Sequence, residues 1–277
     1  MKNRTEFSSA AFYFKEKPFI TSISSTDKKY DKGNSYSYYI NDQPNKKTKD
    51  DIVYKLNNYL FRSDDFSKES SNDNFLFAGC SQTVTLGLPL ELGWAHKVNS
   101  SFDKKEYINI SGVGLAIDAI ISNIVHYIDI FGKPKAVLAL FPDHYRVTEI
   151  KHDIVTTDWL DPREYDKNVD RIEDAIFKDY LSFKNLEMIC KANKIPLAYS
   201  SWQPHTAKVI KKLTEKSFLE NGFDIYENID IDLKLFSKKN SKYPHYWEYA
   251  RDGVHYGERN NLMFAQSFIK KLKELGF

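Results

Sequence analysis

Cysteine is nearly absent from this chain, with two in 277 residues. Cys80 and Cys190 lie far apart among apolar neighbours, which excludes a disulfide framework and leaves buried free thiols as the expected state. Long hydrophobic runs are missing too. The most apolar stretch, 115–131, is interrupted by Asp118, Asn123, His126 and Asp129, so no membrane span is expected. The opening "MKNRTEFSSAAFYFKEKPFI" lacks the apolar core of about 7–15 residues that marks a secretory signal. A cytoplasmic location is the expectation, with release or incorporation into a larger particle left open. Charge of one sign is also lacking: 40 Lys and Arg stand against 38 Asp and Glu, a net +2, with the two signs mixed along the chain. Nucleic-acid binding normally needs basic residues gathered on one face, so no nucleic-acid partner is expected. No internal repeat is visible.

What is present is material for a core: 42% of residues are apolar and 15% aromatic. Residues 1–70 are polar, with "SYSYYI" and "DIVYKL" as short alternating runs around the turn-rich "NDQPNKKTKDD". That pattern predicts a hairpin or extended arms, an extension packed on the main body and open to a protein partner. From residue 74 the pattern becomes strand–helix alternation. Continuous apolar runs at 74–79, 106–110, 136–141 and 195–200, with a weaker one at 223–226, read as strands buried on both faces. Helical spacing covers 115–131, then 171–192 with Ile172, Ile176, Leu181, Phe183, Leu186 and Cys190 inward. It returns over 258–275 with Leu262, Ala265, Phe268, Ile269, Leu272 and Leu275 inward. The expected fold is an α/β three-layer αβα sandwich around a mostly parallel five-stranded sheet of flavodoxin-like type, spanning 71–277. Sites in such sheets form past the carboxyl ends of the strands, here 80–83, 111–116, 142–146 and 201–205.

Three stretches offer chemistry at those places. In "FLFAGCSQTVTLG", Ser81 stands two residues beyond a strand, after a glycine that permits a tight turn; it is a candidate nucleophile, and a helix-capping serine is the plainer alternative. In "RDGVHYGERN", Asp252 and His255 are close enough for the carboxylate to orient the imidazole, leaving the other ring nitrogen free to accept a hydroxyl proton. In "NISGVGLAIDAI", Gly114 near a helix start can present an unobstructed backbone N–H.

Taken together, the three resemble the SGNH (GDSL-type) hydrolase superfamily. "GCSQTVTLG" is similar to its G-D-S-x-T-x-G block, "NISGVGLAIDAI" to N-x-S-x-x-G-x-S-x-D, and "DGVHYG" to D-G-x-H-P-G. "LNNYLFRSDDF" (56–66) resembles the N-x-x-G-F-R-x-x-E-F segment that precedes the nucleophile strand in many members. The resemblance implies a serine ester hydrolase with Ser81, Asp252 and His255 as triad and an oxyanion hole from the N–H groups of Ser81 and Gly114. It implies no cofactor and no metal. The chain departs from the pattern at Cys80, where the family has Asp, and at Tyr256, where it has Pro. After the third strand, "LFPDHYR" lacks the family's oxyanion Asn. An ionised Asp143 cannot donate a hydrogen bond, so His144 or Arg146 would have to serve.

The family's esters include lipid, small-acyl and carbohydrate substrates. Tyr243, Tyr246, Trp247 and Tyr249, with Trp202, would suit a sugar ring, so a small acyl group such as O-acetyl on a carbohydrate is the expected substrate class, with His144, Arg146, Trp202 and Trp247 as candidate binding residues. Three rivals stand beside this reading: a thiol nucleophile at Cys80, a metal site built from Asp143, His144, His152 and Asp153, and a non-catalytic binding or structural module that keeps the fold.

Overall fold

The computed structural model describes residues 11–13, 19–20, 54–151, 154–160, 165–227, 250 and 255–277. At the centre is a parallel sheet of four strands: β2 (Phe75–Gly79), β3 (Ile108–Asn109), β4 (Ala136–Phe141) and β7 (Leu197–Ser201), in the order β3-β2-β4-β7. The apolar runs seen in the sequence form these strands because both faces are covered. Every residue of β2 and β4 is buried. The registers are regular, Phe75 to Gly79 against Ala136 to Leu140, and Val137 to Phe141 against Leu197 to Ser201.

One face packs on α3 (Trp94–Ser101) and α7 (Glu258–Glu274), with the Trp94 ring between Phe77 and Phe268. The other packs on α4 (Ile117–Phe131) and α5 (Tyr165–Asn193), where Phe183 meets Phe141 and Tyr199. α6 (Pro204–Glu215) follows β7 directly. The three layers are as expected, but the hydrogen-bonded sheet has four strands and not five. The fifth candidate, 223–226, enters a turn after a single parallel bridge between Tyr199 and Gly222. Ile225 is drawn away by its backbone, whose N–H donates to Ser200 Oγ and whose carbonyl accepts from Ser267 Oγ.

A second sheet was not anticipated. β5 (Arg146–Lys151) and β6 (Ile154–Trp159) pair antiparallel, and β1 (Ala11–Tyr13) adds to β6. Residues 35–40, 41–53 and the aromatic run 243–249 lie outside the described residues.

Parts of the first seventy residues share the main core. Phe19, Tyr59 and Phe66 pack with Phe131, and Phe66 also meets Tyr127, both on α4. The segment 62–64 runs beside the outer edge of β3: Tyr107 N–H donates to Asp64 Oδ2 (2.8 Å), Asp64 N–H to the Tyr107 carbonyl (3.0 Å), and Asn109 N–H to Ser63 Oγ (3.0 Å). A sheet edge is thereby closed to other chains. Three helix positions expected inward are instead exposed: Leu181 on α5, Leu262 on α7 and Leu275 just beyond it. The long α5 contacts the body along a narrower stripe than its apolar residues would fill.

Candidate active site

The order β3-β2-β4-β7 means the chain steps to one side of β2 and then crosses back to the other. The topological switch point therefore lies between β2 and β4, whose carboxyl ends open toward the crevice where α/β sheets bind ligands. The residue after β2 is Cys80 in extended conformation, and α2 (Ser81–Val84) begins at Ser81. Being the first residue of a helix, Ser81 has no intrahelical acceptor for its N–H. The turn is tight at Gly79, where a Cβ would lie 2.1 Å from Thr83 Oγ1 and 2.7 Å from the Leu140 carbonyl oxygen. Only glycine lets α2 sit directly on the end of β4.

α2 is a single turn, and its surroundings hold it. Its exit is Thr85, a left-handed residue (φ 63°, ψ 49°), followed by Gly87 at φ 75°. Asn109 Nδ2 donates to the Thr83 carbonyl (3.2 Å), and Trp94 Nε1 to Thr83 Oγ1 (3.3 Å). Arg62 Nη1 meets the carbonyls of Val84 (3.2 Å), Thr85 (2.8 Å) and Leu88 (3.2 Å). The Arg62 guanidinium lies over the Tyr54 ring at 4.3 Å, and the Tyr54 hydroxyl accepts from Gly87 N–H (2.8 Å). Burial draws the Arg62 pKa down, opposed by Tyr54, Tyr107 and Glu91; a guanidinium stays charged regardless.

The second half of the site arrives from the far end of the chain. Gln82 Oε1 accepts the backbone N–H of Tyr256 (3.1 Å), so the residue after Ser81 grips the residue after His255. The His255 carbonyl accepts from Ala250 N–H (2.8 Å), and Asn261 Nδ2 donates to the carbonyls of Tyr256 and Gly257 (3.1 and 2.9 Å). Ser81 and the His255 turn are thus brought to one place. Asp252 and Trp247 lie outside the described residues.

Gly114 sits at φ 77° in the turn between β3 and α4, a conformation that favours glycine. The same turn is fastened to β2, since Gly112 N–H donates to the Gly79 carbonyl (3.3 Å) and Asn109 Oδ1 accepts from Ser111 N–H (3.0 Å).

Past β4 the structure places the remaining candidates. Asp143 is buried, with Oδ1 accepting from Tyr145 N–H (3.1 Å) and Oδ2 lying 3.6 Å from Arg146 Nε. His144 is 3% exposed, its Nδ1 is 2.7 Å from Asp179 Oδ2 on α5, and its Nε2 is buried without a partner. Burial pulls the His144 pKa down to about 4, and burial with Asp118 and Asp143 nearby pushes Asp179 well up. Both causes favour the uncharged form of each partner. His144 is therefore aimed at α5 through one nitrogen, and burial favours its neutral ring over the charged one, with Asp143 opposing. Arg146 Cζ stands 5.8 Å over the Trp202 ring. Trp202, 8% exposed, donates its indole N–H to Cys80 Sγ (3.1 Å) and meets Tyr256 edge-on at 5.7 Å. It forms a wall of the site, not an open platform.

Cys80 is fully buried with its sulfur held by Trp202, while its neighbour Ser81 begins the helix. His152 and Asp153 lie outside the described residues, and among the described residues no group of three or more His, Cys, Asp or Glu side chains is arranged to hold a metal. No helix among the described residues is long and apolar enough to cross a membrane.

Sequence reasoning missed Gln82 and Asn109, which set the mutual placement of the site's parts. Their signal was position alone: one follows the candidate nucleophile and one opens the Gly114 turn. Arg62 had a stronger signal in "LFR", but nothing in the sequence said what it touches.

No family model matches the sequence, and a search of curated proteins finds no match. Among solved structures the chain is similar to TesA (13% identity, covering 73% of this chain and 99% of that one, TM-score 0.44). It is also similar to the psychrotrophic esterase EstA from Pseudoalteromonas sp., inhibited by monoethylphosphonate (13% identity, 74% and 98% covered, TM-score 0.42). A third is a member of the lipolytic protein G-D-S-L family from Veillonella parvula (11% identity, 71% and 95% covered, TM-score 0.43). Likeness at this level assigns no residue.

Proposed function

We propose that the chain is a serine ester hydrolase of the SGNH type, working through an acyl-enzyme. One observation carries the reading: the Gln82–Tyr256 hydrogen bond of 3.1 Å, which draws the turn bearing His255 onto the single helical turn that starts with Ser81. The bond holds the backbone of the His255 turn beside α2, at the crevice where such sheets bind ligands, and the proposed reaction requires the Ser81 hydroxyl and the His255 imidazole to face each other there.

In the proposed reaction, Ser81 Oγ attacks the ester carbonyl carbon while His255, oriented by Asp252, takes the hydroxyl proton. The N–H groups of Ser81 and Gly114 receive the developing oxyanion. The tetrahedral intermediate collapses, the C–O bond to the alcohol breaks, and His255 returns its proton to the leaving alkoxide. Water then repeats the sequence on the acyl-enzyme and releases the acid. The stretch after β4 has no Asn where the family has one, and losing one oxyanion donor costs about 10²–10³-fold in rate unless His144 or Arg146 takes its place. An enhancement of about 10⁶ or more would still be about 10³-fold or more after that loss. The buried aromatic wall at Trp202 favours a small acyl group, and carbohydrate O-acetyl esters are the proposed substrate class.

The decisive experiment is hydrolysis of 4-nitrophenyl acetate by wild type, Ser81→Ala and Cys80→Ala, with organophosphonate labelling and peptide mapping. Ser81→Ala is expected to lose about 10⁴-fold or more in kcat, Cys80→Ala to retain Ser81 labelling, and the label to fall on the Ser81 peptide. Equal rates for wild type and Ser81→Ala would leave the non-catalytic binding module as the better reading.

A further inference from the structure

We infer that Arg62 is the positioning residue of the nucleophile: it fixes α2, and through it Ser81, by gathering the three carbonyls at the exit of that turn. The inference rests on the serine-hydrolase reading above and adds a residue to which that reading gives no role.

A helix of one turn has no stability of its own, since nucleation costs more than the few bonds it forms return. α2 forms at most a handful of internal hydrogen bonds, so its placement is decided by what grips it from outside. At its exit the chain must hold a left-handed threonine, and the carbonyls of Val84, Thr85 and Leu88 turn toward one point. One Arg62 nitrogen stands at that point. Positive charge there also complements the carbonyl end of the helix.

The grip is short-range with respect to Ser81. Leu86 N–H, in the middle of the gripped loop, donates back to the Ser81 carbonyl (3.3 Å). Val84 is one helical turn from Ser81, a rise of about 5 Å. Gln82 on the same turn holds Tyr256, so any slip of α2 moves the hydroxyl relative to the His255 turn.

Arg62 is itself well held. It is 3% exposed, stacked on Tyr54, and carried by a loop that Asn57 ties: Asn57 Oδ1 accepts from Tyr59 and Phe61 N–H (3.0 and 3.1 Å), and Asn57 Nδ2 donates to the Asp64 carbonyl (3.0 Å). A lysine would keep the charge and lose the planar fork.

The test compares wild type, Ser81→Ala, Arg62→Ala and Arg62→Lys for kcat and KM on 4-nitrophenyl acetate, organophosphonate labelling rate, and near-UV circular dichroism. A misplacement of about 1 Å costs on the order of 10²-fold, so folded Arg62→Ala is expected to lose about 10–100-fold in kcat and in labelling rate. KM should stay within about twofold, because binding groups elsewhere are untouched. Arg62→Lys should fall between, and guanidinium added to Arg62→Ala should recover part of kcat. A purely structural arginine would lower the melting temperature and leave kcat of the folded fraction unchanged, which overturns the inference. Should Arg62→Ala not fold, the same kcat and labelling comparison on Arg62→Lys decides. Wild type no faster than Ser81→Ala overturns the hydrolase reading and this inference together. Ser81-dependent turnover with undiminished kcat in folded Arg62 variants overturns the inference alone.

Discussion

Gly79 shows how one missing side chain builds a site. The strand needs a residue at this point, and the helix that follows must turn back over the end of β4. A methyl group here meets two obstacles of different kinds, Thr83 Oγ1 at 2.1 Å and the Leu140 carbonyl oxygen at 2.7 Å. The threonine hydroxyl could rotate, though it accepts from Trp94 Nε1. The carbonyl belongs to a strand paired on both sides and cannot. Gly79→Ala is therefore expected to cost about 1–3 kcal/mol, the usual range for overpacking, read as a lower urea midpoint with an unchanged m-value. Because the strain falls between β2 and α2, the proposed hydrolysis of 4-nitrophenyl acetate should fall more than stability does. Leu60 makes the opposite case. It occupies the glycine position of the resembled N-x-x-G-F-R segment at φ 66°, and its side chain is 3% exposed. The left-handed backbone costs a leucine about 1–2 kcal/mol, and the buried side chain outweighs that.

At the scale of elements, α5 separates the residues that matter from those that only look alike in a sequence. Its 29 residues carry apolar side chains at more positions than the body covers: Phe183 and Leu186 are fully buried, while Phe177, Leu181 and Met188 are exposed. Leu186→Ala is expected to cost about 2–5 kcal/mol, and Leu181→Gln to stay within about 0.5 kcal/mol. Equilibrium denaturation of both variants checks the pair. Strands buried on both faces were legible because nothing but apolar residues can occupy them, and Ala136–Phe141 matches its apolar run residue for residue. The hairpin of β5 and β6 was not, because "RVTEIK" and "IVTTDW" neither run apolar throughout nor alternate strictly, and the neighbouring histidines suggested ligation instead. Periodicity reports which residues are apolar, and cannot report how wide a stripe the partner covers. At the candidate site, the turns that carry Ser81, Gly114 and His255 were marked in the sequence by their glycines and by the resemblance to the SGNH blocks. Gln82 and Asn109 were not, since a buried amide takes its meaning from partners that may be 174 residues away.

For the whole molecule, the question is whether the α/β body stands without what precedes it. Asn123 on α4 is fully buried, and both ends of its amide are spent on one residue: Ile20 N–H donates to its Oδ1 and its Nδ2 donates to the Ile20 carbonyl, each at 2.8 Å. Around this contact Phe19, Phe61 and Phe66 fill the space against Tyr127 and Phe131. Removing residues 1–66 would uncover that aromatic face, strip the amide of its partners, free the edge of β3 and take away the Arg62 grip on α2. Large aromatic side chains contribute about 3–5 kcal/mol each when deleted from a core, and a domain's entire stability is about 5–15 kcal/mol. Three such losses come to about 9–15 kcal/mol, as large as the whole of it. A chain beginning at residue 67 is therefore expected to lose near-UV circular dichroism and cooperative thermal unfolding and to bind a hydrophobic dye, while keeping helical far-UV signal. A truncated chain that melts cooperatively near the full-length temperature would show instead that the early residues are an accessory to a self-sufficient body, and that α2 is held from within it.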